Sequence, residues 1–296
     1  MEKILGIRSN FLGVKTTPAT WKKSRVAILP IPYEHTVSYG KGTGRGPAAI
    51  LKASSYVEFY DEETGRDVSR EVGIATVAPM RAGRGAGKPA LAAIGRRVSA
   101  LRGSGKFVFS LGGEHTITQA LVRSHLDSYP DLSVVQIDAH SDLRGSYLGS
   151  PYSHACVMAR VCEFLDPRKI VQVGIRAQCG EEARFIRRHR ITTLYAHDIR
   201  GRNQRDWQVR ALTKLSRHVY VTFDVDGLDP SVMPATGTPE PNGLFWDETM
   251  RFLKLLGSRR TVVGCDVVEF APIRGLHHAD LTAARLVSKM INYFVH

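Results

Sequence analysis

The sequence predicts one three-layer α/β/α domain over residues 1–296, built on a mostly parallel sheet of about eight strands with helices on both faces. Three observations predict it. Apolar, β-branched runs recur along the chain as continuous stretches, the pattern of strands buried on both faces. Longer helical patterns separate these runs, and repeated βα alternation joins neighbouring strands in parallel. Of 296 residues, 43% are hydrophobic and only 23% charged, enough to bury one large core.

Taken in order, the strand runs occupy 25–30, 107–111, 133–138, 170–175, 192–195, 219–226 and 261–268. Helical patterns fill 89–101, 116–128, 180–190, 206–216, 247–256 and 280–294. No repeat, low-complexity tract or linker interrupts them, and the Gly-rich stretch 81–87 reads as a short loop before a helix. A second Gly-rich stretch, Gly40-Lys41-Gly42-Thr43-Gly44-Arg45-Gly46-Pro47, invites comparison with a phosphate cradle. It does not directly follow a strand, lacks the Gly-Lys-Ser/Thr ending, and places Pro47 where a helix would begin. Nucleotide binding is not expected there.

No stretch approaches the roughly 18 consecutive apolar residues of a membrane span, and residues 1–14 lack the regions of a signal peptide. The expected location is the cytoplasm, with no membrane partner. Cys156, Cys162, Cys179 and Cys265 form no CxxC pair, and a chain this long needs no disulfide staples, so free thiols are expected. The net charge of +13 raises the question of a nucleic-acid partner. Its Arg and Lys residues are scattered over helical patterns, and the densest cluster, 184–190, is broken by apolar residues. A solvated helix face is the expected reading, with no nucleic-acid partner.

Ligands of open α/β sheets collect at the carboxyl ends of the strands, so the informative residues are those where each apolar run stops. Run 107–111 stops at Gly112-Gly113-Glu114-His115, run 133–137 at Asp138-Ala139-His140-Ser141-Asp142, and run 219–223 at Asp224-Val225-Asp226-Gly227. Strand alternation would turn Asp138, His140 and Asp142 to one side, and Asp224 and Asp226 likewise. Four carboxylates cannot all stay ionised in a buried crevice without cations, because like charges and desolvation raise their pKa values. Two imidazoles and four carboxylates exceed the needs of one ion and suit two ions about 3.5–4 Å apart. Hard oxygen donors with a minority of nitrogen favour Mn²⁺, with Ni²⁺, Co²⁺ and Zn²⁺ as alternatives, and the lack of cysteine argues against structural zinc. Taken singly, each Asp also suits a loop cap and each His a satisfied core position.

Gly-Gly-Glu-His, Asp-Ala-His-Ser-Asp and Asp-Val-Asp-Gly-Leu-Asp-Pro, in this order, resemble the signatures of the ureohydrolase family of arginases and agmatinases. Pro32-Tyr33-Glu34, Val173-Gly174-Ile175-Arg176, Gly237-Thr238-Pro239-Glu240-Pro241 and Asp266-Val267-Val268-Glu269 are similar to agmatinase-like members, and the resemblance covers nearly the whole chain. It implies an arginase-like fold, two divalent ions, and a homo-oligomer, trimer or hexamer. His115 and Asp142 would be terminal ligands of one ion, His140 and Asp226 of the other, with Asp138 and Asp224 bridging. A hydroxide shared by the ions would attack the guanidinium carbon, which counts Asp142 with the catalytic residues. Glu269 would bind the guanidinium and His154 would shuttle protons. Their mundane alternatives are an ordinary ion pair and a loop histidine. Glu114, where many members have Asp, is expected to support the site without being a ligand. Asp229-Pro230 fits a rigid turn and His277-His278 a helix entry.

Arginases hold an α-amino-acid head with two asparagines, at whose positions this chain has Arg144 and Tyr152, so arginine is demoted as substrate. Asp142-Leu143-Arg144, Tyr147-Leu148-Gly149 and Tyr152-Ser153-His154-Ala155 are similar to agmatinases, which convert agmatine to putrescine and urea. A cation at Arg144 facing the pocket would instead favour a carboxylate tail, which keeps guanidinobutyrate and other guanidino acids in play. Hydrolysis of a formimino compound by the same ions is a further alternative. A metal-stabilised binding protein is the alternative from another class. For the +13 charge, the expected outcome in fluorescence anisotropy at physiological salt is no binding of labelled DNA or RNA tighter than about micromolar, and tighter binding contradicts the solvated-face reading.

Overall fold

The computed structural model describes residues 2–15, 18–80, 86–199 and 204–296. Eight strands form one sheet among the described residues: β1 (Val26–Ile31), β2 (Ile74–Thr76), β3 (Phe107–Gly112), β4 (Ser133–Ile137), β5 (Ile170–Ile175), β6 (Thr192–Tyr195), β7 (His218–Asp224) and β8 (Thr261–Val268). Their spatial order is β2-β1-β3-β8-β7-β4-β5-β6, and every pairing is parallel. Seven of the eight coincide with the apolar runs in the sequence. The eighth, edge strand β2, has three residues and is too short to register as a run.

The main helices are α1 (Gly46–Ser54), α2 (Lys88–Gly103), α3 (Thr118–Leu126), α4 (Val157–Val161), α5 (Gly180–His189), α6 (Gln204–Thr213), α7 (Trp246–Arg259) and α8 (His277–Phe294). They cover both faces. Alternate residues of the central strands, among them Leu111, Val135, Ile137, Val221, Phe223 and Val267, bury against Ile50 of α1, Phe252 and Leu256 of α7, and Val287 and Ile291 of α8. The intervening residues, including Val108, Val134, Ile170 and Tyr220, bury against Ile94 and Val98 of α2, Leu121 of α3 and Ile186 of α5. Strands covered on both sides have no solvated face to mark with polar residues, which is why their sequences read as unbroken apolar runs.

Helix α1 was not among the helical patterns, although Pro47 lies in its first turn, where a missing N–H loses no bond. The glycines before it form no open cradle. Gly42 and Gly44 donate their backbone N–H groups at 2.7 and 2.8 Å to the Glu34 carboxylate, so the chain's own acid occupies the place a phosphate would take. Of the loop at 81–87, residues 81–85 lie outside the described residues. All four cysteines are free. No helix among the described residues is long and apolar enough to cross a membrane.

Register places Leu111, Val267, Phe223 and Ile137 side by side across β3, β8, β7 and β4. The four central strands therefore end level, and the residues that follow open onto a common floor. Phe223 is fully buried in that row. Phe223→Ala is expected to cost about 3–5 kcal/mol by chemical denaturation of the metal-free protein, because the level floor leaves the cavity little room to collapse; a loss near zero contradicts this packing.

Candidate metal centre

The acidic residues converge through turns rather than through strand alternation. Strand β4 stops at Ile137, and Asp138 accepts the His140 backbone N–H at 2.6 Å, bending the chain out of the sheet. Asp142 then adopts φ +54°, a left-handed conformation that Asp tolerates better than most residues. Asp224 closes its own turn by accepting the Asp226 N–H at 2.9 Å, at the start of the 3₁₀ turn Val225–Gly227. The two turns nest closely: a Cβ on Gly227 would lie 2.8 Å from the Asp138 nitrogen. The expectation of side-by-side side chains on an extended strand is thus corrected in its cause, because β4 ends before Asp138 and β7 ends on Asp224, leaving His140, Asp142 and Asp226 beyond the strands.

His115 follows β3 and is fully buried. Its Nδ1 lies 3.1 Å from Asp138, 3.0 Å from Asp142 and 3.4 Å from Asp224. Its Nε2 is 2.9 Å from Thr222 Oγ1. Thr222 donates its only hydroxyl hydrogen to Asp266 at 2.7 Å, and Tyr220 and Thr118 donate to the same carboxylate at 2.8 and 3.2 Å. Thr222 must therefore accept from His115, which fixes the ring proton on Nε2 and leaves Nδ1 of the neutral ring as a lone pair. That lone pair faces three carboxylates and has no hydrogen-bond partner. Acceptors facing acceptors repel unless a positive charge sits among them, so these donors fit a cation.

The second imidazole completes the cluster. His140 Nδ1 lies 3.0 Å from Asp226 and 3.8 Å from Asp138, while Asp226 also accepts the Ala139 N–H at 3.0 Å. Two groups emerge that share Asp138: His115 with Asp138 and Asp224, and His140 with Asp138 and Asp226. All six residues named from the sequence are brought together.

Electrostatics in the protein alone express the same demand. Burial pushes the Asp138 carboxyl up to about 7, reinforced by the charges of Asp142 and Asp226. Burial, with Asp226 and Asp138 beside it, drives Asp224 well above the carboxylate range. Burial alone would lower both imidazoles, but the surrounding carboxylates win, raising His115 far above its ordinary value and His140 to about 11. Burial also opposes ionisation of Asp226, yet His140 beside it holds its carboxyl below the usual range.

Glu269 and His154 meet at the wall of the same cleft, a cavity of about 300 Å³ also lined by Asp142, Arg144, Tyr147, Glu182 and Glu240. Glu269 follows β8 with φ +62°, and its Oε1 accepts the His115 backbone N–H at 2.6 Å while lying 3.4 Å from His154 Nδ1. Burial would lower the His154 pKa, but Glu269 foremost, then Asp142 and Glu114, lift it to about 9. Glu114 acts at a distance from the six: its carboxylate accepts from His35 N, Thr36 N, Thr36 Oγ1 and Thr116 Oγ1, and Thr36 Oγ1 in turn accepts the His154 N–H at 3.0 Å. It supports His154 through Thr36.

Arg144 faces the cleft but is not an uncompensated cation, since Glu182 lies 3.9 Å away and its guanidinium stacks over Tyr147. Tyr152 is not among the residues lining the cleft. Sequence reasoning gave no role to Asp266 or Glu240, although both lie in segments that resemble the family, and passed over Glu182. A carboxylate inside the otherwise apolar run 261–268 was the available signal for Asp266, and the prolines on either side were the signal for Glu240; nothing local marks Glu182. In the metal-free protein, the His154 ring should titrate near 9 by NMR, and Glu269→Gln should bring that midpoint down towards 6.5, because the carboxylate is the main cause of the shift. An unchanged midpoint contradicts the Glu269–His154 pairing.

Comparison with known proteins agrees with this architecture. Residues 24–292 match the arginase family. The chain is 39% identical over 283 residues to an N(1)-aminopropylagmatine ureohydrolase of Synechocystis sp., covering 93% of this chain and 90% of that protein. It is 34% identical over 283 residues to an agmatinase of Bacillus anthracis, covering 94% of each. Among solved structures, the agmatine ureohydrolase of Thermoplasma volcanium superposes with a TM-score of 0.87 at 31% identity, over 98% of this chain and 94% of that one. With a match over nearly its whole length and the acid-rich floor that its four level strands create, the chain belongs to the arginase family.

Proposed function

We propose that this protein hydrolyses a guanidino compound with a cationic amine tail, agmatine or its N1-aminopropyl derivative, to urea and the corresponding amine. The observation that carries the reading is His115 Nδ1 directed at three buried carboxylates, beside a second imidazole–carboxylate group and a Glu–His pair in one cleft. His115, Asp138, Asp142 and Asp224 would hold one divalent ion, and His140, Asp226, Asp138 and Asp224 the other. Their predominance of hard oxygen donors favours Mn²⁺. Divalent ions supply Lewis acidity that lets water ionise near neutral pH.

The chain's own residues do the rest. Glu269, held by the His115 N–H, offers a carboxylate to the planar guanidinium in the fork geometry that such pairs adopt. His154, with a pKa lifted to about 9, carries its proton at neutral pH and gives it to the departing amine nitrogen as the carbon–nitrogen bond breaks. Water adds its oxygen to the carbon, and the products are urea and R–NH₃⁺.

For the tail, the compensated state of Arg144 matters most. With Glu182 beside it and Glu240 also lining the cleft, the outer pocket presents two carboxylates to one guanidinium. That balance supports an ammonium tail over a carboxylate one, and the names of the relatives point the same way. The two hydrophobic clusters on opposite faces of one sheet support reading residues 1–296 as one domain.

The test is urea release by Mn²⁺-loaded protein from agmatine, N1-aminopropylagmatine, arginine and guanidinobutyrate. Release from the first two is expected; release from guanidinobutyrate alone overturns the tail assignment. Glu269→Gln should lower turnover by about 10² or more, and His154→Asn by about 10² to 10⁴ with the cost on kcat rather than KM. Both variants should retain the metal content of the wild type. Near-normal urea formation by both sinks the role assignments.

A further inference from the structure

The two imidazoles of the metal centre are supported unequally. His115 is fixed from behind, its Nε2 locked by Thr222 and Asp266. His140 has its Nδ1 aimed at Asp226 and Asp138, but its Nε2 looks out of the cluster, and its side chain is 26% exposed. The carboxylate beside that nitrogen is Glu240, whose Oε1 lies 4.0 Å from His140 Nε2. A metal-binding imidazole gains basicity and a fixed orientation when its other N–H is donated to a carboxylate.

Glu240 is built for a fixed position. Pro241 after it confines its backbone to extended conformations, and Pro239 fixes the residue before. Its carbonyl accepts from Arg176 at 3.3 Å (Nε) and 2.9 Å (Nη2), and Pro241 O accepts from Arg176 Nε at 3.0 Å. The same guanidinium also donates to Asp226 O at 2.6 Å, Gly227 O at 3.2 Å and Leu228 O at 3.2 Å. One half-buried side chain thus ties the backbone of Glu240 to the backbone of Asp226, the carboxylate that faces the other nitrogen of the same ring. The loop that carries Glu240 and the turn that carries Asp226 are registered against each other with His140 between them.

We infer that Glu240 is the positioning residue for His140, accepting its Nε2–H and thereby setting the affinity of the ion held by His140 and Asp226. The inference rests on the two-ion reading above but concerns a residue with no part in it as a ligand. The 4.0 Å separation closes to hydrogen-bond distance when Nδ1 is engaged and Nε2 carries the only ring proton. Its consequence is an asymmetric centre: the His115 side, locked by buried hydroxyls, binds more tightly than the His140 side, whose support is half-exposed.

The experiment is calorimetric titration of Mn²⁺ into chelator-treated protein, for wild type and Glu240→Gln, with the melting temperature of the metal-free protein as a check on folding. Wild type should take up two ions in two affinity classes. Glu240→Gln should weaken the looser class by about 10- to 100-fold and leave the tighter class and the metal-free melting temperature unchanged. At saturating Mn²⁺ the variant should regain kcat for agmatine, and a kcat that stays low with both ions bound overturns the inference. Two classes bound equally well by the variant overturn the inference while leaving the two-ion reading intact. Unchanged metal affinity with a raised KM overturns it in favour of contact between Glu240 and the substrate tail. A wild type that binds a single ion overturns both.

Discussion

Everything in this active-site floor depends on one electrostatic constraint: carboxylates packed at level strand ends with too little water to solvate them. Asp138, Asp224 and Asp226 are each at most 3% exposed. Coulomb repulsion among such groups is several-fold stronger than in water, and only positive charge among them removes it. The protein supplies two imidazoles, and the hydroxyl chain behind His115 holds its Nε2–H, so that Nδ1 is the nitrogen turned to the acids and a lone pair there whenever the ring is neutral. Tyr220, Thr118 and Thr222 all donate to Asp266, so a residue buried under the floor decides the chemical character of one at its surface. The demand for a cation is built into the hydrogen-bond network.

The backbone is bent to meet that demand. Asp142 and Glu269 both adopt positive φ, a conformation of order 1–3 kcal/mol for residues other than glycine, and both sit where the cluster needs a side chain turned inward. Each is pinned by its surroundings: the Asp142 carbonyl accepts from Met158 and Ala159 N–H groups, and the Glu269 N–H donates to Gly113 O at 2.8 Å. Helix α4 is thereby anchored directly to a residue of the cluster. The packing of α4 and the short turn His154–Cys156 before it carries that order on to His154.

Much of this was legible in the sequence, and the reasons are specific. Strands buried on both faces leave unbroken apolar runs, so seven strands and the six cluster residues at three strand ends could be named from pattern alone. Edge strand β2 escaped because three residues carry no period, while for α1 only the position of Pro47 marked a start, its glycine-rich approach being held by Glu34 rather than by a ligand. The geometry of Asp138 to Asp142 was anticipated for the wrong reason, since side-chain alternation cannot reveal where a strand stops. Asp266, Glu182 and Glu240 act through contacts with residues 38 to 148 positions away in the chain, and no local spacing encodes such pairs. Asp266, a charge inside an apolar run, and Glu240, between two prolines, left a trace; Glu182 left none.

The central claim is that positive charge of two metal ions, and not imidazolium protons, resolves this cluster. Anomalous diffraction from crystals grown with Mn²⁺ tests it most directly. The account predicts two anomalous peaks, one among His115 Nδ1, Asp138, Asp142 and Asp224, the other among His140 Nδ1, Asp226, Asp138 and Asp224, with His115 Nε2 still on Thr222. A map without a peak at His115 Nδ1, the ring instead hydrogen-bonded as an imidazolium to the three carboxylates, would contradict it.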